Sequence, residues 1–136
     1  MKLAVKTIYG LKALLEIAQH AGHEVTSAQI AQAQKIPVKF LEQILTILKR
    51  GKLIGSSRGR EGGYRLLKEP KEITLYALIE LMEGMISFSA NIKKGDAVIN
   101  RIKEVEHKLI AELRKITIED LIEEKAKETG VSFYNI

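Results

Sequence analysis

The stretch 37–66, PVKFLEQILTILKRGKLIGSSRGREGGYRL, decides how this chain folds. At about 100° per residue, Leu41, Ile44, Leu45 and Leu48 fall on one narrow face, and Lys39, Glu42, Gln43, Thr46, Lys49 and Arg50 gather opposite them. One face can build a core while the other is free to touch something. Pro37 suits a first-turn position, where no intrahelical N–H bond is lost, and Gly51 suits a left-handed residue that ends a helix. The spacing therefore predicts a helix over 37–50. Two short apolar runs follow, Leu53-Ile54 and Tyr64-Leu66, flanking the Gly-rich, arginine-bearing loop Ser56–Gly63, which reads as a basic hairpin. The run Gly59–Gly63 is not a nucleotide loop, because no Lys-Ser/Thr pair follows it.

Upstream, Thr26-Ser27-Ala28-Gln29 fits a capping box, with Thr26 as N-cap and Gln29 at the third helical position. A short helix over 27–34 results, and only Lys35-Ile36 separates it from the next, as a helix-turn-helix requires. The fold class expected is mainly α with a small β-wing: a winged helix-turn-helix over residues 1–84. Before it, Ile8, Leu11, Leu14, Leu15 and Ala18 stand at helical spacing in a first helix over 7–21 that stops at Gly22. After the wing, Glu69-Pro70-Lys71-Glu72 breaks the pattern, Thr74 caps a helix holding Leu75, Leu78, Ile79 and Met82, and Gly84 closes it.

Charge is unevenly placed. Residues 1–70 carry 12 Lys+Arg against 5 Asp+Glu, net +7, and residues 71–136 carry 10 against 12, net −2. A polyanion is the simplest partner for the first half, since neutralised phosphates release counterions whatever the sequence. The candidate DNA-contacting set is Lys39, Glu42, Gln43, Thr46, Lys49 and Arg50 on the helix and Ser57, Arg58, Gly59, Arg60, Gly62 and Gly63 in the wing, with Lys2 and Lys6 at the N-terminus. Glu42 and Gln43 are expected to read base edges, the cations to sit on phosphates, and Arg58 and Arg60 to line a minor groove. Tyr64 is expected to anchor the wing to the core. Aromatic content of 5% with no Trp argues against stacking on single strands.

There is no cysteine, hence no disulfide and no thiolate metal site. No metal or cofactor is expected, and no pairing of His with a nucleophile suggests an enzyme. Neither a signal peptide nor an 18-residue apolar run is present, because Lys6, Lys12 and Glu16 interrupt the N-terminal segment, so no membrane partner and a cytoplasmic location are expected.

Residues 85–95 read as a polar linker. From Asp96, a plausible N-cap, Val98, Ile102, Val105, Leu109, Leu113 and Ile116 repeat every three or four residues, with Ile99 and Ile110 widening the face. Such a helix is too long for a small core to cover, so the stripe is expected to seal against the same helix of a second chain. Thr117 with Glu119-Asp120 starts another short helix ending near Thr129-Gly130, which completes a segment 96–130 ahead of the tail 131–136.

The opening MKLAVKTIYGLKALLEIA, the core FLEQILTILKRGKLIGSSRGREGGYRL, the segment EITLYALIELMEG and the later ITIEDLI resemble the Rrf2 family of bacterial winged-helix transcription regulators. The resemblance implies a homodimer, expected to act as a repressor, on a partly palindromic operator, with recognition helices in major grooves and wings in minor grooves. Many relatives hold an iron–sulfur cluster on three cysteines between the helix after the wing and the long helix. This chain offers only Asn91, Lys93, Lys94 and Asp96 there, and Ile99 falls near the ligand histidine of one subgroup. It resembles a cluster-free member. His107 then reads as a solvated helix residue, and His20 and His23 as structural or surface groups at a helix end. Ala4 and Val5 replace the family's usual hydroxyl residues near the N-terminus. Control is expected from a small ligand or a partner protein near residues 85–100. The competing reading is a protein-interaction module whose winged domain and long helix dock a partner enzyme. A salt titration of DNA binding separates the two.

Overall fold

The computed structural model describes residues 2–20, 22–57, 62–89, 91–93 and 95–130. Their order is α1 (Val5–Gln19), α2 (Ser27–Gln34), α3 (Val38–Arg50), β1 (Ile54–Ser56), β2 (Tyr64–Leu66), a 3-10 turn (Pro70–Glu72), α4 (Leu75–Glu83), α5 (Ala97–Lys115) and α6 (Ile118–Glu128). The winged helix-turn-helix is thus the fold. The strands pair antiparallel in the register Ile54↔Leu66, Gly55↔Arg65 and Ser56↔Tyr64.

Helices α2, α4, α5 and α6 begin where the sequence supplies an oxygen to their first free N–H groups. In the α2 capping box, Gln29 N–H donates to Thr26 Oγ1 (3.1 Å) and Thr26 N–H to Gln29 Oε1 (2.9 Å). Thr74 accepts from Ala77 N–H (3.0 Å), and Asp96 accepts from Val98 and Ile99 N–H at 2.9 and 3.0 Å. Thr117 and Asp120 form a second reciprocal box at 3.2 and 2.8 Å. Helix α1 starts two residues earlier than expected, because its cap comes from elsewhere. Glu83, the last residue of α4, accepts from Ala4 N–H (2.8 Å) and from the buried Thr7 hydroxyl. Those two bonds hold its carboxyl below the ordinary range of 4.5, against a smaller opposing push from burial. An alanine N-cap cannot cap itself; a carboxylate at a helix N-terminus can do so from outside.

Two turn residues differ from expectation. Pro37 is the N-cap, just outside α3. Gly51 has an ordinary φ of −77°, and the left-handed residue is Lys52 at φ 60°. A Cβ at Gly51 would lie 2.6 Å from Leu81 Cδ2, so a side chain there would oblige Leu81 to shift.

Helix α1 lies across α2, α3, α4 and α6 and supplies Ala13, Leu14 and Ile17 to the centre of the core. Ile30, Leu41, Ile44, Leu48, Ile54, Ile73, Leu78 and Ile118 complete it, and each fully buried Leu or Ile contributes roughly 1.5–3 kcal/mol over exposure. Ile118 connects the C-terminal segment to the winged part. Its N–H donates to Ile73 O (2.9 Å), Leu75 N–H donates to Ile116 O (2.8 Å), and α6 packs on α1. The segment 96–130 therefore divides in its packing, with α6 joined to the core and α5 lying against α4.

Candidate nucleic-acid interface

Helix α3 is held by four buried residues, Leu41, Ile44, Leu45 and Leu48, so its opposite face has nowhere to point but outward. Lys39, Glu42, Gln43, Thr46, Lys49 and Arg50 are all exposed there. The structure thus brings the six helix candidates together on one surface. Glu42 and Gln43 sit mid-face, and Lys49 and Arg50 stand in the last turn, where cations complement the helix dipole. The Thr46 hydroxyl is already engaged, donating to Glu42 O of its own helix (2.9 Å).

The turn before α3 fixes how that face is presented. Lys35 takes φ 54°, its N–H donates to Ala31 O, and Ile36 is driven into the core at 3% exposure. Behind it lies a buried polar node. Glu16, on α1, accepts from Gln34 Nε2 at the end of α2 (2.8 Å), lies 2.9 Å from His20 Nε2 and stands 3.8 Å from Lys125 Nζ on α6. Burial raises the Glu16 carboxyl, but the hydrogen bonds from Gln34 and His20 and the charges of Lys125 and His20 outweigh it, leaving it below 4.5.

The wing is tied to the body through Tyr64. Val25 N–H donates to Tyr64 O (3.0 Å) and Tyr64 N–H to Val25 O (2.8 Å), while its half-buried ring packs on the core, as expected for an anchor. Ser57 is exposed and its hydroxyl accepts from Gly63 N–H (3.3 Å). Gly63 is buried, and a Cβ there would come within 2.7 Å of Glu24 Cβ. Its close approach within the chain is to Glu24. Gly62 is half-buried. Arg58, Gly59 and Arg60 lie outside the described residues. At the N-terminus Lys2 is exposed and Lys6 half-buried.

Sequence reasoning missed the apolar residues of the first α3 turn. Val38 is 60% exposed and Phe40 38%, with the Phe40 ring 5.8 Å from that of Tyr9 on α1. The signal was available, since neither residue belongs to the buried stripe.

The other conspicuous surface is α5, where Val98, Ile102, Val105 and Leu109 are exposed at 65, 36, 55 and 40%, and Leu113 is half-buried. Its one buried residue is Glu106, which accepts from Phe88 N–H (2.9 Å). His107 is exposed.

A family model described as Rrf2, iron-dependent transcriptional regulator, matches residues 3–124. The chain belongs to the Rrf2 family. The HTH-type transcriptional regulator CymR of Bacillus subtilis is 40% identical over 88 residues, 64% of each chain. The solved structure of CymR, the global cysteine regulator of B. subtilis, superposes with a TM-score of 0.80 at 30% identity, covering 90% of this chain and 97% of that one. The structure of T. potens IscR gives a TM-score of 0.79 at 29% identity, covering 94% and 90%. Two curated relatives from Mycobacterium tuberculosis are 36% identical over 97 residues, which is 71% of this chain, and the match spans 60% of their length.

This Rrf2 chain does not carry the donors that a thiolate-held iron–sulfur cluster needs. It has no cysteine, and the stretch between α4 and α5 offers Ser87, Ser89, Asn91 and Asp96 instead. Among the described residues, no three His, Asp or Glu side chains converge as metal ligands, and no helix is long and apolar enough to cross a membrane.

Proposed function

We propose that the protein is a homodimeric repressor that binds a partly palindromic DNA operator without an iron–sulfur cluster. The observation that carries this reading is α3, whose apolar side is consumed by the core while Lys39, Glu42, Gln43, Lys49 and Arg50 stand exposed on one face beside a two-stranded wing. In a helix-turn-helix the second helix enters the major groove and dimers space two such helices one turn, about 34–36 Å, apart. Glu42 accepts from cytosine N4, Gln43 pairs with adenine, and Lys39, Lys49 and Arg50 fix the helix on phosphates. Arg58 and Arg60 enter the minor groove. The exposed stripe Val98, Ile102, Val105, Leu109 and Leu113 supplies the dimer contact, and the segment 85–100 beside it is where a small ligand or a partner protein changes the spacing of the two α3 helices.

Selection of bound fragments from the source genome, followed by an electrophoretic shift with a salt titration, tests this. The selected operator binds about 10³-fold or more tighter than random DNA, and both affinities fall steeply with salt. An iron chelator leaves the shift unchanged. A steep salt slope with no site preference would reduce the protein to an electrostatic DNA binder, and loss of the shift on chelation would overturn the cluster-free reading.

A further inference from the structure

The first residue of α3 carries an apolar side chain that the core does not use. Val38 is 60% exposed, although the four residues that seat the helix on the core are each at most 2% exposed. By helical spacing Val38 stands four residues before Glu42, so the two side chains are neighbours on the helix surface. It is also next to Lys39 on the leading turn, the part of a recognition helix that approaches base edges most closely. Phe40, the other exposed apolar residue of that turn, has its ring 5.8 Å from that of Tyr9 on α1 and is 38% exposed, against 60% for Val38.

A branched aliphatic side chain cannot bond a phosphate, and it gains nothing from the hydrogen-bonding edges of guanine, adenine or cytosine. The one apolar group in the major groove is the thymine C5-methyl. We propose that Val38 is a specificity-determining residue that packs its two γ-methyl groups on a thymine methyl in each half-site, next to the base pair that Glu42 reads. The inference rests on the reading of α3 as a major-groove helix. It adds a base contact made by burial to the hydrogen-bonded and charged contacts of the neighbouring polar residues.

The chemistry supplies its own probe, because deoxyuridine differs from thymidine at this atom group alone. On the selected operator, each thymine of one half-site is replaced in turn by uracil, and binding is measured for the wild-type chain and for Val38→Ala. At one position uracil weakens the wild type about fourfold, the worth of one buried methyl group, while Val38→Ala binds the two operators equally. Thermal unfolding of Val38→Ala matches the wild type, as its exposure requires. If the uracil penalty persists in Val38→Ala, or no thymine position shows one, Val38 reads no methyl. Failure of the parent reading looks different: no operator emerges from selection, or Gln43→Ala leaves every base preference intact.

Discussion

Helices α3 and α5 are both amphipathic, yet the structure uses them in opposite senses. In α3 the apolar stripe is inside, with Leu41, Ile44 and Leu48 at 0% exposure, and the polar residues are outside. In α5 the apolar residues Val98 and Val105 are outside, at 65 and 55%, and the buried residue is a glutamate. The same periodicity thus leaves a polar surface in one case and an apolar one in the other. The difference follows from position: α3 is wrapped by α1, α2, β1 and α4, whereas among the helices and strands α5 packs chiefly on α4. A polar face can wait in water at no cost, but an exposed stripe of valine and leucine gains by pairing with another apolar face.

The comparison breaks if α5 has no apolar partner. Changing Val105 and Leu109 together to Asp should place two charges in the proposed dimer contact and give a monomer in sedimentation. Operator affinity should then fall about 10²-fold or more, because two linked recognition helices lose their shared avidity. Since both residues are exposed in the single chain, the helical signal in circular dichroism should persist. A dimer that survives both changes would place the interface elsewhere.

The two faces of α3 can be separated next. Ile44→Ala should cost about 2–5 kcal/mol in denaturant unfolding, the range for a buried large-to-small change. Gln43→Ala, one residue earlier and fully on the exposed face, should leave that curve unmoved. Its effect should appear in binding, as about 1–3 kcal/mol of lost discrimination at one or two base positions. Equal weakening on all sequences would remove Gln43 from base reading.

Much of this contrast was legible in the sequence, because it depends on local signals. The α3 stripe, the Thr26–Gln29 box, the Thr74, Asp96 and Thr117 caps and the two wing strands all lie within a few residues of their causes. What escaped reading depends on distant partners. Glu83 caps α1 from 79 positions away, Gly51 makes room for Leu81, Gly63 for Glu24, and Ile118 returns α6 to the core. Of the interface, the charged and amide residues could be named from their spacing. Val38 needed the structure as well: its place outside the buried stripe was legible, but its 60% exposure follows from which neighbours leave it uncovered.

The smallest test concerns the two buried carboxylates among the described residues, which repeat the contrast at the level of single groups. Glu106 on α5 accepts from one backbone N–H, whereas Glu16, at the base of the α2–α3 unit, is held by side chains from α1, α2 and α6. Burial opposes the Glu16 charge, yet Gln34, His20 and Lys125 bring its value in the folded chain below 4.5. A carboxyl lowered on folding adds stability that is complete above its unfolded value and is lost as pH falls through the folded one. Glu16→Gln keeps an acceptor for Gln34 but removes the charge. The wild type should therefore unfold roughly 2–4 °C above the variant at neutral pH, for an effect near one kcal/mol in a chain of this size. That gap should narrow as pH falls below 4.5 and is lost once the carboxyl is protonated in the folded chain too. A gap that stays constant across this range would mean that packing, and not the charge, is what Glu16 contributes at the end of α2.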